Sequence, residues 1–590
     1  MAYYYSTNRN VQLLVALLKA HGIRKVVASP GTTNMELVGS LQHDGAFQMY
    51  SCVDERSAAY LACGLSAESG EPVVITCTEA TASRNYLPGL TEAYHRKLPI
   101  LAVTGLHSYQ EIGQLSPQVI DRSVSPADAV RLKVRLNPVS SPEDERESVL
   151  QITRAILELK RHGGGPVHID LPWGGPKMEY SAQRLPQVPL IRRYFPGDSL
   201  PEIRLEEGQK LLVLVGGHRE WTKAQTEALD RFCEAFDAAV LCDHASRYYG
   251  RFRVQATILA AQDVSYDVFR DIGLLIHIGE ESTDDRLMQK LSTFVRTVWR
   301  VSPDGELRDP LHRLSAVFEM EEQTFFTRYS EGKEPRPSAL LEAFRETLRE
   351  VRAKLPELPF SSLYAASRLS ALLPAGARVH LGCSDTIRAW NYFPLPEGVR
   401  SACNSGCRGI DGTVSSLIGA SLASPDRLFF GVMGDLTFFY DMTVLGNRHV
   451  GPNLRLMIVH NDGGNIFRHH GHPSQRWLGR EEADEYICAG GHFGGPSPSF
   501  VRDFAENLGF RFLTASDQES FEKCLPDFVS PEPSVRPVLF EVFTDAEQDA
   551  EAFERMEKID QTGKSQAKEA LRSVLGEQGT EKLKRLLKKS

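Results

Sequence analysis

No stretch of this chain approaches the roughly 20 uninterrupted apolar residues that a bilayer-spanning helix needs, and the opening MAYYYSTNRN has no apolar signal core behind a basic start. A soluble, cytoplasmic protein without a membrane partner is the expectation. A basic excess is also missing. The 590 residues hold 67 Lys and Arg against 76 Asp and Glu, a net charge of -9, whereas a protein that grips a phosphate backbone carries a positive surplus. Nucleic acid is therefore not an expected partner. Paired cysteine spacing is absent too: the ten cysteines are scattered and read as reduced core thiols rather than a disulfide framework. Cys403 and Cys407 stand closest, with no second pair to complete four zinc ligands. There is no short-period repeat and no low-complexity tract.

What is present suits a large globular protein. Hydrophobic residues make up 42% and charged residues 24%, enough for every domain to bury a core. At roughly 150 residues per domain the length suggests about four units, with three equally reasonable for α/β domains. The fold class expected is α/β, with three doubly wound parallel-sheet domains. In residues 1–185, helical periodicity (VQLLVALLKAHG) alternates with the short apolar runs KVVASPG, PVVITCT, PILAVTG and GPVHIDLP, apolar on both faces as buried parallel strands are. A central domain, 186–360, follows a Pro-rich connector and contains KLLVLVGGH and GLLIHIGEE. Its Gly216-Gly217 pair lacks the third glycine and the acidic residue of a dinucleotide fingerprint, so a plain strand-end turn is expected. The third domain, 361–550, has RVHLGCS, RLFFGVMGD, LRLMIVHNDGG and PVLFEVFTD as strands, and 551–590 reads as a charged helical tail.

Chemistry concentrates in the third domain. Gly434-Asp435 ends one strand, and 26 residues after the Asp comes Asn461 at the end of the next, followed by Asp462-Gly463-Gly464. Two adjacent strand ends thus each deliver a hard oxygen to the carboxyl edge of a parallel sheet, where α/β folds bind ligands. The Asp435 carboxylate, the Asn461 amide oxygen and a backbone carbonyl at Gly463, completed by two diphosphate oxygens and water, match the octahedral shell of Mg²⁺. Gly463 and Gly464 let backbone approach a phosphate, and the segment through Ile466 can start a helix facing the anion.

This pattern resembles that of the thiamine diphosphate enzymes, over nearly the whole chain. Gly434-Asp435-Leu436, Tyr440-Asp441 and Asn461-Asp462-Gly463-Gly464 are most similar to the family of synthases that make 2-succinyl-5-enolpyruvyl-6-hydroxy-3-cyclohexene-1-carboxylate in menaquinone biosynthesis. SPGTTNMEL, DER, GPVHIDLPW and NSGCRGIDG fall in the same order. The resemblance implies a pyrimidine-binding, a central and a diphosphate-binding domain, with thiamine diphosphate and Mg²⁺ as cofactors. It casts Glu55, in YSCVDERSA, as the acid that hydrogen-bonds N1′ of the cofactor's aminopyrimidine. It places Gln118 near the reacting centre, and Ile410, beside Gly409, as the apolar residue that bends the two rings together. The reaction implied is decarboxylation of a 2-oxo acid with transfer of the acyl unit to an acceptor. A simple 2-oxo acid decarboxylase, an acetolactate synthase-like enzyme and a non-catalytic cofactor-binding protein are the alternatives. Because Glu55 and Asp435 belong to different domains and one cofactor contacts both across a subunit interface in this superfamily, a homodimer or homotetramer is implied.

The match departs at the substrate. Ser384 and Arg388 in GCSDTIRAW fit two substrate-contacting positions of the family. SPGSR, however, becomes Ser-Pro-Gly-Thr32-Thr33, SNRG becomes Cys403-Asn404-Ser405-Gly406, and ADRP becomes Gly105-Leu106-His107-Ser108. Three arginines suited to bidentate carboxylate contacts are thereby missing, which argues against isochorismate as acceptor; Arg408 stands close enough to replace one. The stretch with His460, His469, His470 and His472 is too closely spaced for a convergent metal site and reads as a loop over the active site that lends Arg468 or a histidine to an acidic or hydroxylated substrate.

Overall fold

The computed structural model describes residues 4–469, 472–492, 497, 499–532 and 534–563, so His470 and most of the charged tail lie outside the described residues. The chain divides into two compact units, Met1–Tyr194 with two short segments near residues 306 and 316, and the remainder, which holds the second and third sheets.

In the first unit, β1 Lys25–Ala28, β2 Gln48–Ser51, β3 Val73–Cys77, β4 Ile100–Leu106, β5 Leu132–Arg135 and β6 Val167–Pro172 form a parallel sheet in the order β2-β1-β3-β4-β6-β5. β3, β4 and β6 are buried along their whole length, which is why their runs are apolar at every position. The helix Arg9–Ala20 starts where the Asn8 side chain accepts from the backbone N–H of Asn10 and Val11, and it buries Leu13, Leu14, Leu17 and Leu18 against this sheet. β7 Arg192–Tyr194 closes the unit.

In the second unit, β8 Lys210–Val215, β9 Ala239–Cys242, β10 Arg253–Val254, β11 Ile272–Ile278 and β12 Val298–Val301 pair in parallel as β10-β9-β8-β11-β12, and β13 Leu314–Phe318 follows in the chain. Gly216 and Gly217 do make a strand-end turn. A Cβ on Gly216 would meet the Glu280 carbonyl oxygen at 1.8 Å, and Gly217 exchanges backbone hydrogen bonds with Glu280 and Glu281, so close backbone approach demands glycine there.

The third sheet comprises β14 Arg378–Leu381, β15 Arg400–Cys403, β16 Phe429–Gly434, β17 Leu454–His460, β18 Arg511–Ala515 and β19 Val538–Phe543, ordered β15-β14-β16-β17-β19-β18. That is the strand order of the first sheet repeated. Both are doubly wound, and both reverse direction beside their first strand: between β1 and β3, and between β14 and β16. Ligands bind such sheets at the carboxyl ends flanking the reversal. In the third sheet this edge lies between Gly382-Cys383-Ser384 and Gly434-Asp435.

Candidate active site

The third sheet brings the expected diphosphate-site residues together. Asp435 opens the short helix Asp435–Asp441 straight off β16 and is 2% exposed. Its Oδ2 accepts from Gly463 N at 3.0 Å and its Oδ1 from Leu436 N at 2.7 Å. Burial pushes this carboxyl up, against the pull of His460 and the two backbone N–H groups. A buried carboxylate in that state favours a cation beside it. Asn461 donates its amide nitrogen to Asp549 Oδ2 at 2.7 Å, which leaves the amide oxygen as the group to offer a ligand. Gly463 has φ +132°, and a Cβ there would strike the Cys488 carbonyl oxygen at 2.4 Å. Just beyond Gly464, both amide atoms of Asn465 are buried without a hydrogen-bond partner among the described residues. Hard oxygens at two strand ends, a glycine cradle and an orphaned buried amide suit an oxygen-ligated dication carrying a diphosphate.

Arg468 is placed differently from the substrate role expected of it. Its Nη1 and Nη2 donate to the Asn461 and Asp462 carbonyls at 2.9 and 3.0 Å, so its planar fork braces the Asn461–Gly464 loop. Nor do the described histidines of this stretch form one lid. His460 is buried and paired with Glu541 at 2.7 Å, His469 pairs with Asp385 at 3.0 Å, and His472 caps the helix Pro473–Trp477.

The loops after β14 and β15 carry the other candidates. Ser384 precedes the helix Asp385–Trp390 at φ 68°, ψ -131°, a conformation that non-glycine residues rarely adopt, and Arg408 has φ 52°. Arg388 and Arg408 converge on one carboxylate: Arg388 Nη2 lies 2.9 Å from Asp285 Oδ2, and Arg408 Nη1 lies 2.8 Å from Asp285 Oδ1. The two guanidinium groups hold the Asp285 carboxyl below the usual range even though its partial burial works the other way. Asp285, with Arg388, Ile466, His469 and Glu557, lines a cavity of about 450 Å³. Sequence reading missed Asp285, because nothing in its local context marks a partner more than 100 residues away. Ile410 and Ser405 are half-buried, and Gly409 is exposed.

In the first unit, Glu55 is the first residue of the helix Glu55–Ser69, shortly after the end of β2, with Asp54 as N-cap. It is half-buried, and its Oε2 accepts from Asn85 Nδ2 at 3.3 Å. Gln118 is exposed with φ 64°. Thr32 is exposed, while Thr33 is buried with its hydroxyl unpartnered among the described residues. His107, in place of one missing arginine, is gripped by Glu79: its backbone N and its Nδ1 both lie 2.6 Å from Glu79 Oε2.

Comparison with known proteins identifies the family. The family model described as "Thiamine pyrophosphate enzyme, N-terminal TPP binding domain" matches residues 9–125. A 2-succinyl-5-enolpyruvyl-6-hydroxy-3-cyclohexene-1-carboxylate synthase of Phocaeicola vulgatus is 32% identical over 558 residues, spanning 92% of this chain and 97% of that protein. The synthase of Bacteroides fragilis is 31% identical, covering 92% and 98%, and that of Desulfotalea psychrophila is 30% identical, covering 77% and 86%. Three parallel-sheet α/β domains and this N-terminal match define a thiamine diphosphate-dependent enzyme. Within that class the chain belongs to the family of these synthases, and its chemistry is decarboxylation of a 2-oxo acid coupled to acyl transfer. None of its described helices is long and apolar enough to cross a membrane.

Proposed function

We propose that the donor is a dicarboxylic 2-oxo acid of the 2-oxoglutarate kind and that the acceptor carries fewer carboxylates than isochorismate. The observation that supports the donor is the fork made by Arg388 and Arg408 around Asp285: two guanidinium groups already arranged about one carboxylate suit the distal carboxylate of such an acid in Asp285's place. The observation that supports the acceptor is the company at Thr33, His107 and Ser405, where neutral or Glu79-bound groups stand in positions that hold arginine in the family pattern.

Bound thiamine diphosphate supplies the electron sink that lets a 2-oxo acid lose carbon dioxide. In this reading Glu55 would hold the proton at N1′, Ile410 would pack against the cofactor's rings, and Gly409 would lie beside them. Asp435, Asn461 and the Gly463 carbonyl would hold Mg²⁺ with the diphosphate, while Gly434, Leu436, Gly464 and Ile466 line its bed. Gln118, Thr32 and Ser384 face the substrate. Arg468 acts by keeping the metal loop in shape. Since Glu55 and Asp435 sit in different units of the chain, we place each active site between two copies, in a homodimer or a dimer of dimers in the cytoplasm.

The test is carbon dioxide release by the protein with thiamine diphosphate and Mg²⁺ across 2-oxoglutarate, pyruvate and longer 2-oxo acids, with and without isochorismate. Turnover of 2-oxoglutarate, weakened by Arg388→Ala chiefly through KM, is expected. Inertness toward 2-oxoglutarate while another acid reacts overturns the donor, and efficient use of isochorismate overturns the acceptor.

A further inference from the structure

β14 and β15 run in parallel register, with Leu381 beside Cys403, and the loop that leaves β14 turns back over that end. Two thiols meet there. Cys383 Sγ lies 3.7 Å from Cys403 Sγ and 3.3 Å from the Asn404 carbonyl oxygen. Cys383 is buried, Cys403 is half-buried, and Cys407, four residues on, is exposed. In a chain whose other cysteines are dispersed, two adjoining thiols at the reversal point of the sheet that carries Asp435 are set apart by position. Where a cytosolic protein brings two thiols together, the pair is usually catalytic or redox-responsive rather than structural.

We propose that Cys383 and Cys403 form a redox modification site, in which a hydroperoxide converts the two thiols to a disulfide that halts turnover. The hydrogen bond with Cys403, helped by the charges of Arg408 and Arg388, draws the Cys383 thiol below its ordinary range, while the same hydrogen bond and burial push Cys403 up. Of the two, Cys383 is thus the thiol that ionises more readily and Cys403 the one that keeps its proton, the division of labour that peroxide-responsive pairs use. The Cys383 thiolate attacks one peroxide oxygen; an S–O bond forms, the O–O bond breaks, and hydroxide leaves and takes up a proton as water. Cys403 then loses its proton and attacks the resulting sulfenic sulfur, forming the S–S bond and expelling the second oxygen as water. Two thiols and one hydrogen peroxide give one disulfide and two waters, and a dithiol reverses the step.

The bond shortens the sulfur separation from 3.7 Å to about 2.05 Å. It thereby ties the loop that holds Ser384 and leads to Arg388 to the loop that holds Asn404, Arg408 and Ile410. Neither loop has much room to adjust. Ser384 already sits at φ 68°, and Asn404 is fixed by its side-chain bonds to His380 at 3.1 Å and to Ser416 at 3.0 Å. The effect on turnover rests on the active-site reading given above; the cross-link itself does not.

The test exposes the full-length, cofactor-loaded protein to hydrogen peroxide and reads two quantities separately. Non-reducing peptide mapping with differential alkylation follows the cysteines, and carbon dioxide release follows the reaction. A Cys383–Cys403 cross-link is expected, with a rate at least about tenfold lower that dithiothreitol restores. Cys403→Ser should abolish both the cross-link and the inactivation relative to its own untreated rate, and Cys407→Ser should leave both in place. Cys383 and Cys403 remaining free while Cys407 oxidises, or a Cys403–Cys407 bridge, overturns the site. A Cys383–Cys403 cross-link with undiminished turnover overturns its effect on the reaction. Because mapping needs no substrate, a wrong donor assignment leaves the cross-link result readable.

Discussion

At the scale of single residues, Asp284 is a buried acid without a cationic partner among the described residues. It is 2% exposed, caps the helix Asp285–Phe294 through Leu287 N, and accepts from Thr257 Oγ1 at 2.6 Å. Burial pushes its carboxyl up to about 6, with the nearby Asp243 and Asp285 carboxylates adding to the shift and the Thr257 and Leu287 bonds opposing it. The folded chain therefore holds this proton more tightly than the unfolded chain does. Its contribution to stability is complete below about pH 4 and is lost as pH rises from there through about 6, a difference on the order of 3 kcal/mol. Asp284→Asn keeps an oxygen for Leu287 and removes the charge. The variant should melt several degrees above the parent at pH 7.5 and within a degree or so of it at pH 4.5, followed by calorimetry. Equal melting temperatures at both pH values would show that burial does not raise the Asp284 carboxyl.

At the scale of elements, the loop between β17 and the turn Asn465–Arg468 concentrates the demands of the site. Gly464 N donates to the Cys488 carbonyl, Gly463 N donates to Asp435, and Gly463 itself has φ +132° with that same carbonyl 2.4 Å from where a Cβ would sit. Gly463→Ala adds about 1–3 kcal/mol of backbone strain besides that clash, relieved only by shifting the loop away from Asp435. The expected outcome is thiamine diphosphate binding weakened by at least about tenfold in the presence of Mg²⁺, measured by titration calorimetry, with the far-UV circular dichroism unchanged. Parental affinity would mean that the loop does not form the bed. This loop was legible in the sequence because its glycines follow, after Asn461 and Asp462, a mostly apolar strand buried at every position. The same holds for β3, β4, β6, β16, β17 and β19, each buried on both faces. In the first and third sheets what escaped reading is systematic: β2, β5, β15 and β18 are the outer strands, and Gln48–Ser51 or Arg511–Ala515 have exposed positions that dilute the apolar run to nothing. The Asp285 fork, the Glu79–His107 pair and the Cys383–Cys403 contact escaped for a different reason. Each joins residues whose local sequence is unremarkable and whose meeting is decided by which strand ends become neighbours.

At the scale of the whole molecule, the chain splits its chemistry: Glu55 lies in the first unit and Asp435 in the second. If each active site takes Glu55 from one copy and Asp435 from another, two differently crippled chains must complement each other. Glu55→Gln alone should abolish turnover yet still bind thiamine diphosphate, because the lost carboxylate serves the proton at N1′ and not the diphosphate. Asp435→Asn alone should lose turnover through the metal bed. In a mixed dimer of the two, one site combines both substitutions, while the other draws an intact Glu55 from the Asp435→Asn chain and an intact Asp435 from the Glu55→Gln chain. Random assortment of equal amounts then restores about one quarter of the parental sites. Co-expression with two affinity tags, purification of the doubly tagged species and assay of carbon dioxide release measure this directly, and the purified mixed dimer should show about half the parental rate per chain. Recovery to that level establishes sites shared between copies. No recovery, in a mixed dimer that still binds the cofactor, would place Glu55 and Asp435 in the same chain's site.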